Sequence, residues 1–439
     1  MLILIHLVRL KILTSGFCKL NKPVIDYSRT LKFLSHSYDL GIIQLKVESD
    51  SYDGRIVKVN DRDIVHFSNC SYVGLDICEA LKLGAIDAIS RYGTLFSTSR
   101  LCIGLDLNEK LESLLDQITG HHTLVTQSTS LGSISAIPVM VLSNDLVVMD
   151  HQVHTSVQNA VKIAEAQGTK VGMIRHNSMT ALENVIQKQQ NKYEKIWYMA
   201  DGIYSMLGDC CPVEELHVLM DRYPNFHCFI DDAHGISWSG KYGRGSVLHK
   251  KPLHPQMVLV MSLAKGFGCC GGVLIFPTPE ARHLIRCLGT SLIFSGPIPT
   301  PVLGACIASA KLHLRDELKV RQNVLYVLIK FFREKAYAYG LPLVNHTFSP
   351  IFYFGAGSEA NAYHIVKGLL DAGFLTTICN YPIVPKKNAG IRVTLTTHNT
   401  FADIENLLFT MAGLMDDLEK EGKLDKEKIY DDFKALEAS

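Results

Sequence analysis

Three apolar segments of the chain each end in polar residues that are suited to covalent or acid–base chemistry. They are, in chain order, Asp201 and Ser205 in MADGIYSMLGD, Asp231 and His234 in FIDDAHG, and Ser262 and Lys265 in MVLVMSLAKGFG. A lysine amine can form a Schiff base with a carbonyl cofactor, and a carboxylate can keep a pyridine nitrogen protonated. Hydroxyl groups and backbone amides can bind a phosphate. The segments therefore suit a pyridine cofactor that carries a phosphate group.

These polar residues meet only if the apolar segments are neighbouring parallel strands. Strands that are apolar throughout and separated by helices are typical of a mainly parallel sheet that is covered on both faces. The functional groups of such a sheet lie at the carboxyl ends of its strands. The predicted strands are HTLVTQS, DLVVMD, TKVGMIRH, KIWYMADG, FHCFIDDAHG, MVLVMSLAKG and GGVLIFP.

The pattern changes after about residue 300. The stretch from VLGACIASAK to REKAYAYG is predicted as one long connecting helix, and the strands SPIFYFG and GIRVTLTTH follow it with further helices. We predict an N-terminal extension and arm (1–60), a large cofactor-binding domain (61–300), and the connecting helix with a small α+β domain (301–439). RIVKVNDRDIVHFSN predicts two short strands around an Asn-Asp turn, and the tail after Gly422 predicts a solvated helix.

Composition excludes several functional classes. The 439 residues carry a formal net charge of +1, with 47% hydrophobic and 20% charged residues, so nothing indicates nucleic acid or an acidic membrane surface as a partner. The 12 cysteines include no C-x-x-C pair, which favours reduced thiols in a cytoplasmic protein over a disulfide framework. The histidines lack the spacing of metal ligands, and no metal is predicted.

The first residues, MLILIHLVRLKILTS, are apolar but are interrupted by His6, Arg9 and Lys11. The uninterrupted apolar run is shorter than the ~20 residues that span a bilayer. A signal peptide carries its positive charge before the apolar run, and here the charge lies within and after it. We predict a short amphipathic extension and no stable membrane span. A peripheral membrane contact or a start codon placed too early are the alternatives.

The order of DGIYSMLGD, DDAHG…GRG and SLAKGFG…GG resembles the α-oxoamine synthase family of fold-type I pyridoxal 5′-phosphate (PLP) enzymes. The resemblance runs from about Asn60 to Leu408. It implies an aminotransferase-like α/β fold, with a large, mainly parallel PLP domain and a smaller C-terminal α+β domain. It also implies decarboxylative condensation of an amino acid with an acyl-CoA or acyl-carrier-protein thioester, giving an α-aminoketone, in a homodimer.

The resemblance implies a role for each matching residue at the cofactor ring. Lys265 would form the Schiff base and take the substrate's α-proton. Asp231 would pair with the pyridinium nitrogen, and His234 and Ser205 would lie near the phenolic oxygen. His154, in DHQVHTSV, would stack on the ring.

Four further matches concern the phosphate, the substrate and the partner subunit. Ser262 matches a phosphate contact, and Ser128 and Thr129 lie in a second cofactor-binding segment. Arg392, in GIRVTLTTH, matches the arginine that binds the amino-acid carboxylate, a bidentate contact that lysine makes poorly. Ser295, in IFSGPIP, matches a segment that reaches the partner subunit's cofactor.

The chain departs from the family at three places. VTQSTSLGS has Thr129 and Ser130 where many members have glycine and an aromatic residue. Asn69-Cys70-Ser71-Tyr72 replaces the common Ser-Asn-Asp-Tyr, and Asn108 stands in place of a histidine. These departures bear on the acyl donor and leave two other functions open. One is transamination on the same scaffold. The other is a catalytically silent partner subunit, against which the presence of Lys265 argues.

One motif imitates a dinucleotide-binding loop. The stretch 266–271 reads Gly-Phe-Gly-Cys-Cys-Gly and follows a predicted strand, which matches G-x-G-x-x-G. A dinucleotide fingerprint must open a helix, whereas this one runs into GGVLIFP, which is strand-like. We expect these glycines to permit close backbone packing beside Lys265.

Overall fold

The computed structural model describes residues 28–438, with side chains described to residue 434. The strands are β1 (Ile56–Val59), β2 (Arg62–His66), β3 (His122–Thr126), β4 (Leu146–Asp150), β5 (Lys170–Ile174), β6 (Ile196–Asp201), β7 (Phe226–Asp231), β8 (Met257–Ser262), β9 (Gly272–Phe276), β10 (Ile351–Gly355), β11 (Phe374–Leu375), β12 (Thr377–Cys379) and β13 (Gly390–Thr394). The helices are α1 (Ser28–Asp39), α2 (Glu79–Tyr92), α3 (Asp106–Thr119), α4 (Thr129–Met140), α5 (Thr155–Ala166), α6 (Met179–Gln189), α7 (Val213–Arg222), α8 (Ser246–Lys250), α9 (Pro279–Leu288), α10 (Thr290–Ile293), α11 (Thr300–His313), α12 (Asp316–Ala338), α13 (Glu359–Asp371), α14 (Phe401–Lys420) and α15 (Lys426–Ala438).

A seven-stranded sheet in the order β3-β9-β8-β7-β6-β4-β5 carries the predicted strand ends. Strands β8, β7, β6, β4 and β5 are parallel, and β9 is antiparallel to both β3 and β8. Every residue of β6 and β8 is buried, which explains why their sequences are apolar throughout. The predicted mainly parallel sheet is therefore confirmed.

Two smaller sheets lie outside the large one, and one of them joins an early segment of the described chain to a late one. Strands β10, β13 and β12 form one, and β1, β2 and β11 form the other. The predicted hairpin is present, with Asn60 and Asp61 at its turn in the left-handed region. Val65 pairs with Phe374 of β11, so the hairpin shares a core with the C-terminal strands. The predicted boundary between residues 60 and 61 passes through this hairpin.

The prediction of one long helix after residue 300 is wrong. The chain forms α11 and α12 instead, separated at Leu314 and at Arg315, which has extended backbone angles. The buried His313 holds the end of α11 through hydrogen bonds with the Ser309 carbonyl and Ser237 Oγ, both at 2.8 Å. The acidic residues of DEL begin α12, where negative charge stabilises a helix N-terminus.

The tail after Gly422 forms α15, but this helix is not wholly solvated. Ile429 and Phe433 are buried, and the ring of Phe433 lies 5.7 Å from that of Tyr353. Their spacing of four residues places both on one face, which packs on the C-terminal core. The remaining face carries the charges that suggested a solvated helix.

The glycine-rich stretch 266–271 leads into β9 and not into a helix, as predicted. Gly268 has φ +77°, and a Cβ there would lie 2.6 Å from Leu75 Cβ. A Cβ on Gly266 would lie 2.9 Å from the Ile236 carbonyl oxygen. The glycines therefore allow close packing around the turn that carries Lys265.

The predicted amphipathic segment near residue 1 lies outside the described residues. Among the helices of residues 28–438, none has the length and apolar character needed to cross a membrane.

Candidate active site

Two buried carboxyl groups lie side by side at the carboxyl edge of the large sheet. Asp201 and Asp231 are paired in register at the ends of β6 and β7, and each is 3% exposed. Asp231 accepts a hydrogen bond from the Ala233 amide at 3.1 Å. Burial raises the pKa of Asp231, while the charge of Lys265 opposes this rise. Burial and the charge of Asp231 raise the pKa of Asp201 well above its ordinary value. The charge of Asp231 therefore disfavours ionisation of Asp201.

Lys265 follows β8 in a tight turn. The Gly268 amide donates a hydrogen bond to the Lys265 carbonyl at 2.8 Å and closes this turn. No carboxylate of residues 28–434 lies within 4 Å of the Lys265 amine. Burial lowers the pKa of Lys265, although the charges of Asp231 and Asp201 oppose this effect. An amine with a lowered pKa is a better nucleophile and base near neutral pH.

His154 reaches the same edge of the sheet through a short polar chain. Its Nδ1 accepts from the Ser156 amide at 3.2 Å and lies 2.7 Å from Ser156 Oγ. Ser156 Oγ lies 3.5 Å from Asp231 Oδ2, and the His154 amide donates to Asp201 at 2.9 Å. The His154 ring is exposed, which leaves its face free to stack on a ligand. Ser156 was not predicted as a site residue, although it lies two residues after His154.

His234 is joined to a residue from a distant part of the sequence. Its Nδ1 lies 2.6 Å from the hydroxyl of Tyr72, and both side chains are buried. Burial, together with the charges of Lys265 and Arg392, lowers the pKa of His234 well below its ordinary value, so the imidazole is neutral. Tyr72 lies in one of the motifs that differ from the family. No local sequence pattern predicts its contact with His234, because the two residues are 162 positions apart.

Arg392 is a buried cation without a counter-ion among residues 28–434. It lies on β13, is 6% exposed, and donates from Nε to the Ser205 carbonyl at 2.6 Å. Its Nη2 lies 3.7 Å from Cys70 Sγ. No carboxylate in the described part of the chain lies within 4 Å of it. Because an unpaired buried charge is unfavourable, this position suits an anionic ligand.

The N-terminus of α4 forms a cradle beside the Lys265 turn. Ser128 caps the helix by accepting from the Leu131 amide at 3.2 Å. A Cβ on Gly272 would lie 2.5 Å from the Thr129 nitrogen, so only glycine lets the helix approach β9 this closely. Ser262 is paired in register with Gly272. Amides of a first helical turn have no partner within the helix, and together with the helix dipole they bind phosphates.

The structure does not bring Ser295 to these residues within one subunit. Its hydroxyl donates to the Ser291 carbonyl. The Gln127 side-chain amide, from the loop before α4, donates to the carbonyls of Gly296 and Pro297. A contact between Ser295 and a partner subunit's cofactor stays a prediction.

An ionised triad supports the loop that carries Ser205. His176 lies 2.9 Å from Asp150 at the end of β4 and 2.6 Å from Asp209. The Tyr198 hydroxyl also donates to Asp150, at 3.0 Å. Burial lowers the pKa of His176, but its hydrogen bonds to the two carboxylates outweigh this effect and raise the pKa to about 9. His176 is therefore an imidazolium that links β4 to the loop after β6.

This triad predicts a pH-dependent stability. The folded pKa of His176 lies above the ordinary value of 6.5, so its stabilisation is complete below about pH 6.5 and disappears as pH rises through about 9. The shift corresponds to ~3 kcal/mol. Urea unfolding at a series of pH values should show this loss in the wild type but not in His176→Gln. The exposed residue His346 provides the control His346→Gln, which should follow the wild type. If the free energy of unfolding changed with pH in the same way in the wild type and in His176→Gln, the imidazolium state of His176 would be contradicted.

A family model described as "Aminotransferase class I and II" matches residues 74–408. The chain belongs to this family. The 8-amino-7-oxononanoate synthase of Alkaliphilus metalliredigens is 28% identical over 347 residues, which cover 78% of this chain and 86% of that protein. The serine palmitoyltransferase of Bacteriovorax stolpii is 26% identical over 358 residues, which cover 81% and 83% of the two chains.

Solved structures show the same fold. The serine palmitoyltransferase of Sphingomonas wittichii superposes with a TM-score of 0.82 at 18% identity, over 92% of this chain and all of that one. The 8-amino-7-oxononanoate synthase of Francisella tularensis gives a TM-score of 0.67 at 21% identity, over 82% and 99% of the chains. The resemblance to α-oxoamine synthases, the aminotransferase-like fold and the prediction of an enzyme are confirmed.

Proposed function

We propose that this class I and II aminotransferase family member is a PLP-dependent α-oxoamine synthase. It condenses an amino acid with an acyl thioester and releases carbon dioxide, which gives an α-aminoketone. Its similarity to proteins named 8-amino-7-oxononanoate synthase and serine palmitoyltransferase supports this class of reaction. The observation that carries the proposal is the buried Arg392, which has no carboxylate within 4 Å among residues 28–434 and whose charge acts on Lys265. A free amine beside an anion-binding cation suits an amino-acid substrate.

The residues at the sheet edge fit PLP. The amine of Lys265 has no counter-ion within 4 Å in the part of the chain that the structure describes, and it can hold the cofactor covalently. The buried Asp231 carboxylate suits a protonated pyridine nitrogen, and neutral His234 suits a hydrogen bond to the phenolic oxygen, with Ser205 nearby. His154 would stack on the ring.

The cradle at the start of α4 fits the phosphate. Its members are Ser128, Thr129 and Ser262, and the close approach at Gly272 exists only because that residue lacks a Cβ. When bound, PLP supplies the electron sink for the pair left on the amino acid's α-carbon.

The chain's own groups then have separate tasks. Arg392 binds the amino-acid carboxylate and orients the α-carbon. Lys265 accepts the α-proton at Nζ, which its lowered pKa allows. Asp201 holds the backbone of His154 through the hydrogen bond at its amide. Tyr72 fixes the orientation of the His234 ring.

We also propose a homodimer. An exposed apolar surface surrounds the Ser295 segment, in which Phe294 is 83% exposed. Leu101 and Ile103 are 57% and 58% exposed, and Ser99 Oγ joins their loop to the Ile293 carbonyl at 2.8 Å. Contiguous apolar surface of this kind is usually covered by a partner. A second copy would cover this face and bring its own Ser295 segment to the neighbouring site.

The acyl donor is proposed as an acyl-CoA or acyl-carrier-protein thioester, and the location as cytoplasmic. The cysteines in the described part of the chain form no disulfide, which agrees with a reducing compartment.

Steady-state assays of the purified PLP-loaded protein test the function. Single amino acids are mixed with acyl-CoA esters of increasing chain length, and both free thiol and carbon dioxide are measured. We expect release of one thiol and one carbon dioxide per turnover, dependent on both substrates. Amino transfer to a 2-oxo acid without thioester consumption would establish transamination instead. A protein that neither binds PLP nor turns over would be a silent subunit.

A further inference from the structure

Cys70 contacts the residue that is proposed to bind the substrate carboxylate. Its Sγ lies 3.7 Å from Arg392 Nη2, while Nε of the same guanidinium donates to the Ser205 carbonyl at 2.6 Å. Cys70 is half-buried, so it is not enclosed in the core. It also lies within electrostatic reach of Lys265. A half-buried thiol thus lies close to two cations of the candidate site.

This arrangement differs from that of the other described thiols. Cys379 lies near the backbone of Arg392 but is fully buried, and burial raises its pKa to about 12. Cys102 and Cys270 are exposed at the surface. A protonated, buried thiol does not react, and an exposed thiol reacts without selection by charge.

Cys78 provides a matched comparison inside the chain. Its Sγ lies 4.0 Å from Arg321 Nη2, nearly as close as Cys70 lies to Arg392. Arg321, however, also donates to the carbonyls of Val73 and Gly74 and to the Glu317 carboxylate at 3.3 Å. The charge beside Cys78 is therefore neutralised, whereas the charge beside Cys70 is not.

We propose that Cys70 and Arg392 form one subsite for short carboxylates, in which Arg392 binds the anion and the Cys70 sulfur contacts it. The inference rests on the proposed function, because the natural ligand would be the carboxylate of the amino-acid substrate. Cys70 is then a specificity-determining residue for this reaction. A carboxylate with an electrophilic carbon is held against the sulfur and alkylates it.

Iodoacetate and its neutral analogue iodoacetamide report on this subsite. In either reaction the Cys70 sulfur forms a bond to the α-carbon, the carbon–iodine bond breaks, iodide leaves and the thiol proton passes to solvent. Only iodoacetate carries the negative charge that Arg392 binds. The ratio of the two alkylation rates at each cysteine therefore measures recruitment by the neighbouring cation.

The experiment uses the full chain without PLP and with it, followed by peptide mass spectrometry. We expect the iodoacetate-to-iodoacetamide ratio at Cys70 to exceed that at Cys270 and Cys78 by about tenfold, equivalent to ~1.4 kcal/mol. Added acetate should slow alkylation of Cys70 and leave Cys270 unchanged. Arg392→Gln should remove the preference, and the acetate measurement needs no variant if that protein misfolds.

Three outcomes would overturn the subsite. The iodoacetate-to-iodoacetamide ratio could be equal at Cys70 and Cys270, or the preference for iodoacetate could survive Arg392→Gln in a folded protein. Cys70 could also be inert to both reagents. These outcomes are distinct from failure of the proposed function. A protein that condenses substrates without the preference retains the function and loses the subsite. A protein that shows the preference for iodoacetate but consumes no thioester retains the subsite and loses the proposed function.

Discussion

Replacing Lys265 by alanine is expected to lower kcat by at least about 10³-fold, because the variant loses both the proposed attachment point and the proposed base. The variant should also lack the visible absorption band of the lysine-bound cofactor. Lys265→Arg should fail as well, since a guanidinium stays protonated and can neither attach the cofactor nor accept a proton. Absorption spectra after incubation with PLP and steady-state assays measure both effects.

Lys110→Ala is the matched control, because Lys110 is exposed and makes no ion pair within the described chain. It should keep the band and the turnover of the wild type. Added methylamine should restore part of the activity of Lys265→Ala and none of that of Lys265→Arg, which retains its bulky cation. An alanine variant that keeps the band would show that another residue holds the cofactor.

Arg392→Gln should lower kcat/KM for the amino acid by roughly 10²- to 10³-fold, equivalent to about 3–4 kcal/mol. Most of the loss should appear in KM for the amino acid, with KM for the acyl thioester unchanged. Arg392→Lys should recover little, because an ammonium group cannot make the bidentate contact. Steady-state kinetics with each substrate varied in turn separates these constants.

Thermal unfolding distinguishes substrate binding from a structural role for Arg392. Since the guanidinium is buried and no described residue provides a carboxylate partner, removing its charge should leave the folded state as stable or make it more stable. The exposed pair of Arg91 and Asp87 provides the control Arg91→Lys, which should change neither stability nor kinetics. A large loss of stability in Arg392→Gln would indicate that the residue holds the fold together.

The part of the site that comes from consecutive strand ends was predictable from sequence. Asp231, His234 and Lys265 each lie within three residues of an apolar strand, so one local pattern gives both the residue and its place. Tyr72 and Cys70 were not predictable in the same way. Their contacts to His234 and Arg392 span 162 and 322 residues, and neither lies in a periodic segment.

The errors in the fold predicted from sequence have a similar origin. Apolar spacing continues through Leu314 and Arg315, so periodicity alone predicted one helix where the structure has two. The break depends on His313, which is held by Ser237 from a different part of the chain. Likewise, the pairing of the hairpin with β11 depends on a two-residue strand that carries almost no sequence signal.

The hairpin that begins the described strands has a consequence for biosynthesis. It leaves the ribosome long before its partner, because Val65 pairs with Phe374. At roughly 5–20 residues per second, synthesis of the intervening ~310 residues takes about 15–60 s. During that time the nascent chain exposes an unpaired strand edge and the apolar residues Val57 and Ile64, which are buried only in the finished protein. Chaperone binding to the nascent chain should therefore concentrate on its amino-terminal part.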